Sequence, residues 1–356
     1  MLQAYVHAIT ANNALQEKPF WSNEQRLTEL ETLTANEVQS FKGEFLASLF
    51  IEAMIVGNLT CAEAQTLVQT SLQPLNFSKL PPENQPVLKT TQLAAGETVL
   101  MEELNPDPEA IDSAISVYVQ VGERGVVQDV TLELLSQIMD KEMYSVLRTQ
   151  EQLGYIVAGV ATSKWQVGGV RFIIQGVMDP EFLEGRLENF LHHFAGQLQE
   201  MNPEDFAEHV QSLITKKSEK DRNVDRHCER LMQELCSHTY VWDRKQREIE
   251  ALAAISQQDL VGFFAQHLAV TSVTRRRICS HVVGRAALDV LKDAGVAPSV
   301  TEASKGKLLV FAPGSVPFPL PGDGPSAPGT EPALPEPSIT TLEDYKRNSL
   351  NFCVQK

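Results

Sequence analysis

The chain has 356 residues, room for roughly two ordinary domains, and 43% of them are hydrophobic, as in a globular protein. Thirty Lys and Arg against 46 Asp and Glu leave a formal charge of −16, which repels a nucleic-acid backbone and excludes that partner, while leaving a surface suited to solubility or to basic peptides. No apolar run approaches the roughly 20 residues needed to span a bilayer, so no membrane partner is expected.

The five cysteines, Cys61, Cys228, Cys236, Cys279 and Cys353, are odd in number and irregularly spaced, which argues against a disulfide framework and for a reducing compartment. The opening M-L-Q-A-Y-V-H carries no basic start and apolar core. The expected location is cytoplasmic, with an organelle left open because an amino terminus cut from a longer protein carries no targeting information.

In chain order, Met1 to about Glu31 reads as polar helix anchored by Phe20 and Trp21. Thr34–Glu37 is a capping box that starts a short helix. Leu46–Val56 is apolar and rich in Phe, Ile and Val, the composition of a buried strand, and ends at Gly57-Asn58. A second capping box, Thr60–Glu63, opens a helix over Ala62–Leu72; Asn58-Leu59-Thr60 is read as its turn and cap rather than as a glycosylation site. Pro81, Pro82 and Pro86 mark a linker.

Beyond it the pattern predicts strands near 97–102 and 114–122, a helix near 128–147, and strands near 153–162 and 168–177. From Pro180 to about Leu268 the chain reads as helix, restarted at Asp179-Pro180, at Asn202–Asp205 and at Ser256–Asp259. Arg275–Val283 reads as a closing strand, with Arg275, Arg276 and Arg277 on a strand edge or a solvated turn. Pro313–Pro337 holds nine prolines in 25 residues and must be extended, while Tyr345, Leu350 and Phe352 could dock the terminus onto the body.

The expected fold class is α+β, with a mainly antiparallel sheet and helices packed on one face. The expected domains are an incomplete one over residues 1–74, a linker over 75–92, a complete one over 93–285 and a Pro-rich tail over 286–356.

The stretch Tyr144–Tyr155, Y-S-V-L-R-T-Q-E-Q-L-G-Y, ends an amphipathic helix and opens a strand. A helix-to-strand corner restricts rotamers on both sides, so Arg148 and Tyr155 could be held toward a cleft. The competing reading pairs Arg148 with a neighbouring carboxylate and makes Tyr155 a half-buried sheet residue.

The string Leu147–Val157, L-R-T-Q-E-Q-L-G-Y-I-V, resembles the C-terminal half of the insulysin group of inverzincin metallopeptidases. Phe50–Thr60, Gly168–Gln175 and Pro332–Pro337 resemble the same half in the same order, so the resemblance covers most of the chain. It implies a LuxS/metalloenzyme-like peptidase domain at 93–285 preceded by part of a similar one. It also implies a zinc endopeptidase in which an N-terminal half, joined in cis or supplied in trans, carries the metal. Arg148 and Tyr155 are then the catalytic hydrogen-bond donors, toward substrate carbonyls and toward the oxygen that gains negative charge. Tyr144 would pack beside the bound peptide, and Gly154 would permit close approach of substrate or of neighbouring backbone.

The H-x-x-E-H that such an enzyme needs is absent; the nearest string, Asp205–His209, D-F-A-E-H, reads as a solvated helix face. His192 and His193 are adjacent and point about 100° apart on a helix, so they cannot share one metal. His227, Cys228, Cys236 and His238 match no zinc spacing. No metal ligand is therefore assigned, and zinc is expected in the full-length enzyme but not on this chain. No G-x-S-x-G or phosphate loop is present, and Gly322–Ala327 lies in the proline tail rather than after a strand. Two functions remain: the substrate-binding half of a zinc endopeptidase acting on peptides, or a noncatalytic binding and assembly module of a two-chain peptidase-like complex.

Overall fold

A computed structural model describes residues 3–293, 295, 307–311 and 338–353. The chain forms two units: residues 1–18, 90–218 and 243–352 in one, and 19–89, 219–242 and 353–356 in the other.

The larger unit is built on a seven-stranded sheet. Its strands are β1 (Thr98–Leu104), β2 (Ser113–Glu123), β3 (Ile156–Lys164), β4 (Val167–Gly176), β5 (Arg276–Val283), β6 (Lys307–Phe311) and β7 (Ser338–Thr340). The spatial order is β7-β6-β1-β5-β2-β4-β3, and every neighbouring pair is antiparallel except β1 with β5. The mainly antiparallel sheet is as expected. The last long strand is not at the margin, however: β5 lies between β1 and β2, in the middle of the sheet.

Helices α1 (Ala4–Gln16), α2 (Val126–Met143) and α3 (Pro180–Glu200) cover this sheet. Alternation along the strands sorts the side chains into two layers. Ile115, Val117 and Val119 of β2 with Phe172 and Ile174 of β4 join Leu135 and Met139 of α2 and Leu187, Leu191 and Phe194 of α3 in the main core. Ala114 and Val282, pointing the other way, meet Ala4 and Ala8 of α1, and Tyr118 meets Leu15. Most helices thus share one face, and the opposite face is closed by α1, whose Asn12 Nδ2 donates to the carbonyls of Ser116 (3.0 Å) and Ile278 (2.7 Å). Residues 4–16 therefore pack in the body that also holds residues 93–218 and 243–283, although the sequence groups them with the segment before the linker. Tyr345, in the helix Leu342–Asn348, is buried in the same small core as Leu15 and Tyr118.

The helices Pro203–Ser218, Arg244–Ala254 and Gln257–His267 follow α3. The starts of α3 and of the first and last of these three helices are fixed by the predicted signals: Asp179 Oδ1 accepts from Glu181 N, Asn202 Oδ1 from Glu204 N, and Ser256 and Asp259 form a capping box.

In the smaller unit the capping boxes at Thr34 and Thr60 start helices Ala35–Ala47 and Cys61–Leu72. The buried strand expected over 46–56 is not formed. Only Ser48–Leu49 pairs, with Ser78–Lys79, and Phe50 and Ile51 are exposed. A buried strand needs neighbours long enough to take its backbone hydrogen bonds, and the one strand paired with it among the described residues is two residues long. The Pro-rich stretch 313–337 lies outside the described residues.

Candidate functional site

The corner begins where α2 gives way, without a break, to a π-helical turn over Tyr144–Gln150. Such wide turns are rare and gather at functional sites. Leu147 stays fully buried in the main core and fixes the inner side of the turn, while Tyr144 is 52% exposed on the outer side. Glu151 N donates to Val146 O and Leu153 N to Leu147 O, and Gln152 takes a left-handed φ of 54° to turn the chain toward β3. Arg186 of α3 then clamps the corner, its Nε and Nη2 each 2.7 Å from the two oxygens of Glu151.

Gly154 is required by the backbone packed against it. A Cβ there would lie 1.8 Å from Gln175 O, and one on Gly176 would lie 1.9 Å from Leu153 O. The close approach expected of Gly154 is therefore made by strand β4.

Arg148 is four residues beyond Tyr144, with its guanidinium carbon 5.6 Å from the Tyr144 ring centroid, and Nη1 donates to Gly154 O at 3.0 Å. Tyr144, Arg148, Thr149, Gln152 and Gly154 line an open cleft of about 420 Å³. Arg148 has five donor hydrogens and this bond uses one, so the cleft faces a cation with donors to spare.

Tyr155 is not among the cleft-lining residues. It stands just before β3, 50% exposed, and its hydroxyl donates to Asp112 Oδ2 at 2.9 Å. Gln175 Nε2 donates to the same Asp112 oxygen at 2.9 Å and also to the Tyr155 hydroxyl oxygen. Gln175 is itself buried and accepts from Tyr5 N at 2.9 Å. Partial burial, then the hydrogen bond to Asp112 and its negative charge, raise the phenol pKa above its ordinary value. Tyr155 is thus a neutral donor near neutral pH. The structure brings Tyr144, Arg148 and Gly154 to one cleft, sets Tyr155 on its own polar cluster, and leaves both Arg148 and Tyr155 at the surface. Sequence reading missed Asp112, Gln175, Glu151 and Arg186; the first two are 43 and 20 residues from Tyr155, and only β-sheet pairing brings them together.

The triple arginine is not a solvated edge. Arg275 and Arg277 are 6% and 4% exposed and meet two carboxylates of α3. Arg275 Nη2 is 3.0 Å from Glu188 Oε1, and Arg277 Nη1 is 2.6 Å from Glu188 Oε1 and 3.0 Å from Glu184 Oε1. His281 Nε2 lies 2.6 Å from Glu184 Oε2, and Cys279 Sγ donates to Glu184 Oε1 at 3.4 Å. Arg277, Cys279 and His281 alternate along the α3 side of a central strand, so the column reads outward on paper and points inward in space. Burial pushes the Glu184 carboxyl up, but the Arg277 charge and the hydrogen bonds from His281 and Cys279 together outweigh it and hold the group below the usual carboxylate range.

Among the described residues no group of three or more His, Cys, Asp or Glu is arranged to hold a metal ion. His227 is taken up by Asp221 at 2.8 Å, and His238 contacts Tyr240. No helix among the described residues is long and apolar enough to cross a membrane.

A family profile described as PQQ synthase PqqF-like, C-terminal lobe domain 4, matches residues 134–232, which include the whole corner. The chain is 31% identical over 288 residues to the insulin-degrading enzyme of Drosophila melanogaster, covering 80% of this chain and 29% of that protein. It is 27% identical over 267 residues to human nardilysin, covering 74% of this chain and 23% of the relative. The crystal structure of pitrilysin superposes with a TM-score of 0.70 at 25% identity, covering 80% of this chain and 30% of pitrilysin. The chain therefore spans less than a third of the length of these relatives. Sequence and fold agree: the chain is related to the C-terminal half of the insulysin and pitrilysin peptidases.

Proposed function

We propose that this chain is the substrate-binding C-terminal half of a zinc endopeptidase of the insulysin type, acting on peptides together with an N-terminal half that carries the metal, in cis or in trans. The observation that carries this reading is the open cleft at the π-helical corner, with Arg148 facing it and most of the guanidinium's donors uncommitted. A peptide lying there offers carbonyl oxygens, the natural acceptors for a guanidinium, and Tyr144 offers an exposed ring for its side chains. Tyr155, protonated at neutral pH, is the donor toward the carbonyl oxygen that gains charge as the peptide bond is attacked. The free thiols of Cys61, Cys228, Cys236 and Cys279 fit a reducing, cytoplasm-like compartment.

The test is to combine the chain with a zinc-bearing N-terminal half and to measure peptide cleavage. Arg148→Ala and Tyr155→Phe should each lower kcat/KM by about 10²-fold, the usual cost of one oxyanion-type donor. Cleavage that is the same for wild type and for the double variant refutes a catalytic role.

A second reading, a noncatalytic binding or assembly module, is favoured by one observation: the Tyr155 hydrogen already has an internal acceptor in Asp112. On that reading the double variant still binds its partner half and the mixture does not cleave peptides at all.

A further inference from the structure

A phenol has one hydrogen to donate, and in this structure it goes to Asp112 rather than to open solvent. The arrangement around it is built rather than incidental. Gln175 is buried, its Oε1 is fixed by the backbone N–H of Tyr5 in α1, and its Nε2 reaches both Asp112 Oδ2 and the phenol oxygen. Gln175 lies on β4, whose neighbour β2 begins at Ser113, so Asp112 is carried by the strand end beside it. Three elements and the strand-leading Tyr155 thus converge on one hydroxyl.

We propose that Asp112 and Gln175 are positioning residues that park the Tyr155 hydroxyl, and that a peptide carbonyl must take its hydrogen from Asp112 before Tyr155 can act. This rests on the reading of Tyr155 as a donor to substrate. While the hydrogen turns to the substrate, Gln175 keeps both the Asp112 oxygen and the phenol oxygen supplied with a donor, so neither is left unpaired. A hydroxyl that is itself accepting a hydrogen bond is polarised and donates more strongly. Asp112 therefore restrains Tyr155, and Gln175 makes the exchange possible.

The charged and titratable groups facing the phenol are Asp112 and Tyr5. A carboxylate hydrogen-bonded to a phenol raises the phenol's pKa, as the negative charge opposes formation of a second one. This gives a readout on the chain alone, without cleavage: the alkaline titration of tyrosinate absorbance, with the Tyr155→Phe chain subtracted to isolate one residue. Asp112→Asn should move that component to lower pH, toward an ordinary exposed tyrosine, and Asp112→Ser should do the same. A Tyr155 component unmoved in both variants, with the chains shown to be folded by circular dichroism, overturns the proposal.

The second readout is cleavage by the mixed halves. Replacing an ionised acceptor by a neutral one weakens the hydrogen bond that must be exchanged, so Asp112→Asn should raise kcat/KM by about fivefold. The gain should vanish in the Tyr155→Phe background, because the two residues act as one unit. An equal change in both backgrounds means that Asp112 has only a structural role, and it overturns the proposal. A shifted titration accompanied by cleavage indifferent to Tyr155→Phe preserves the Asp112–Tyr155 contact and instead refutes the assignment of Tyr155 as a substrate donor.

Discussion

Two arginine sites in the same unit obey the same chemistry and serve opposite ends. At Arg277 the guanidinium is sealed between β5 and α3, with Glu184 and Glu188 both within 3.0 Å, and Cys279 and His281 supply further bonds to Glu184. At Arg148 the guanidinium stands over a tyrosine ring at the surface, gives one hydrogen to a carbonyl of its own corner, and lines an open cleft. Removing one charge from the first site leaves its partner buried and uncompensated, whereas the second site has solvent to take over. Burial, rather than residue type, separates an arginine that holds the fold from one that is available to a ligand.

The contrast is broken most directly at the sealed site. Glu188→Ala should destabilise the chain by about 3–5 kcal/mol in chemical denaturation, because Arg275 loses its paired carboxylate and Arg277 one of two. A loss under 1 kcal/mol would mean that the site is wetter than its geometry.

Next in size is the backbone that supports the open site. Gly154→Ala should cost about 2–3 kcal/mol, since a methyl cannot share space with the Gln175 carbonyl and strand or corner must shift. Thermal melting of the two chains checks it.

The acid limb of stability sharpens the same comparison. Glu184 is held below its ordinary pKa, so its contribution is present above the unfolded value of about 4.3 and is lost as pH falls through the lower folded value. Wild type should lose stability across that acid interval by more than Glu184→Gln does. Equal slopes would remove Glu184 from the account.

Smaller still, Arg186→Ala should cost about 1 kcal/mol, the usual size for a partly exposed bidentate pair with Glu151. Smallest in stability is Arg148→Ala, expected within about 0.5 kcal/mol of wild type, although its effect on cleavage is the large one. An Arg148→Ala chain as damaged as Glu188→Ala would place Arg148 with the sealed arginines and undo the distinction.

Capping boxes, the order of strands and helices after the linker, and the apolar stripe of α2 were legible because each depends on neighbours a few residues apart. The Tyr144–Tyr155 corner was legible as a helix-to-strand junction for the same reason. The strand expected over 46–56 failed because composition reports what a segment could bury, not whether a neighbour exists to bury it against. Arg275, Arg276 and Arg277 misled in the opposite direction: three adjacent cations look solvated until α3 presents Glu184 and Glu188, one helical turn apart, to the central strand. Asp112 and Gln175 gave no local signal, since a lone acid and a lone amide are ordinary on any strand.

What the sequence determined by itself is local and periodic: where helices start, which strand residues alternate, and that a cation and a phenol flank one turn. Which arginines are dry, which face of the sheet α1 closes and which carboxylate holds the Tyr155 hydrogen were decided only by tertiary structure. Hydrogen bonds and ion pairs depend on distance in space, and β pairing brings together residues that the chain keeps far apart, as with Ala114 and Val282.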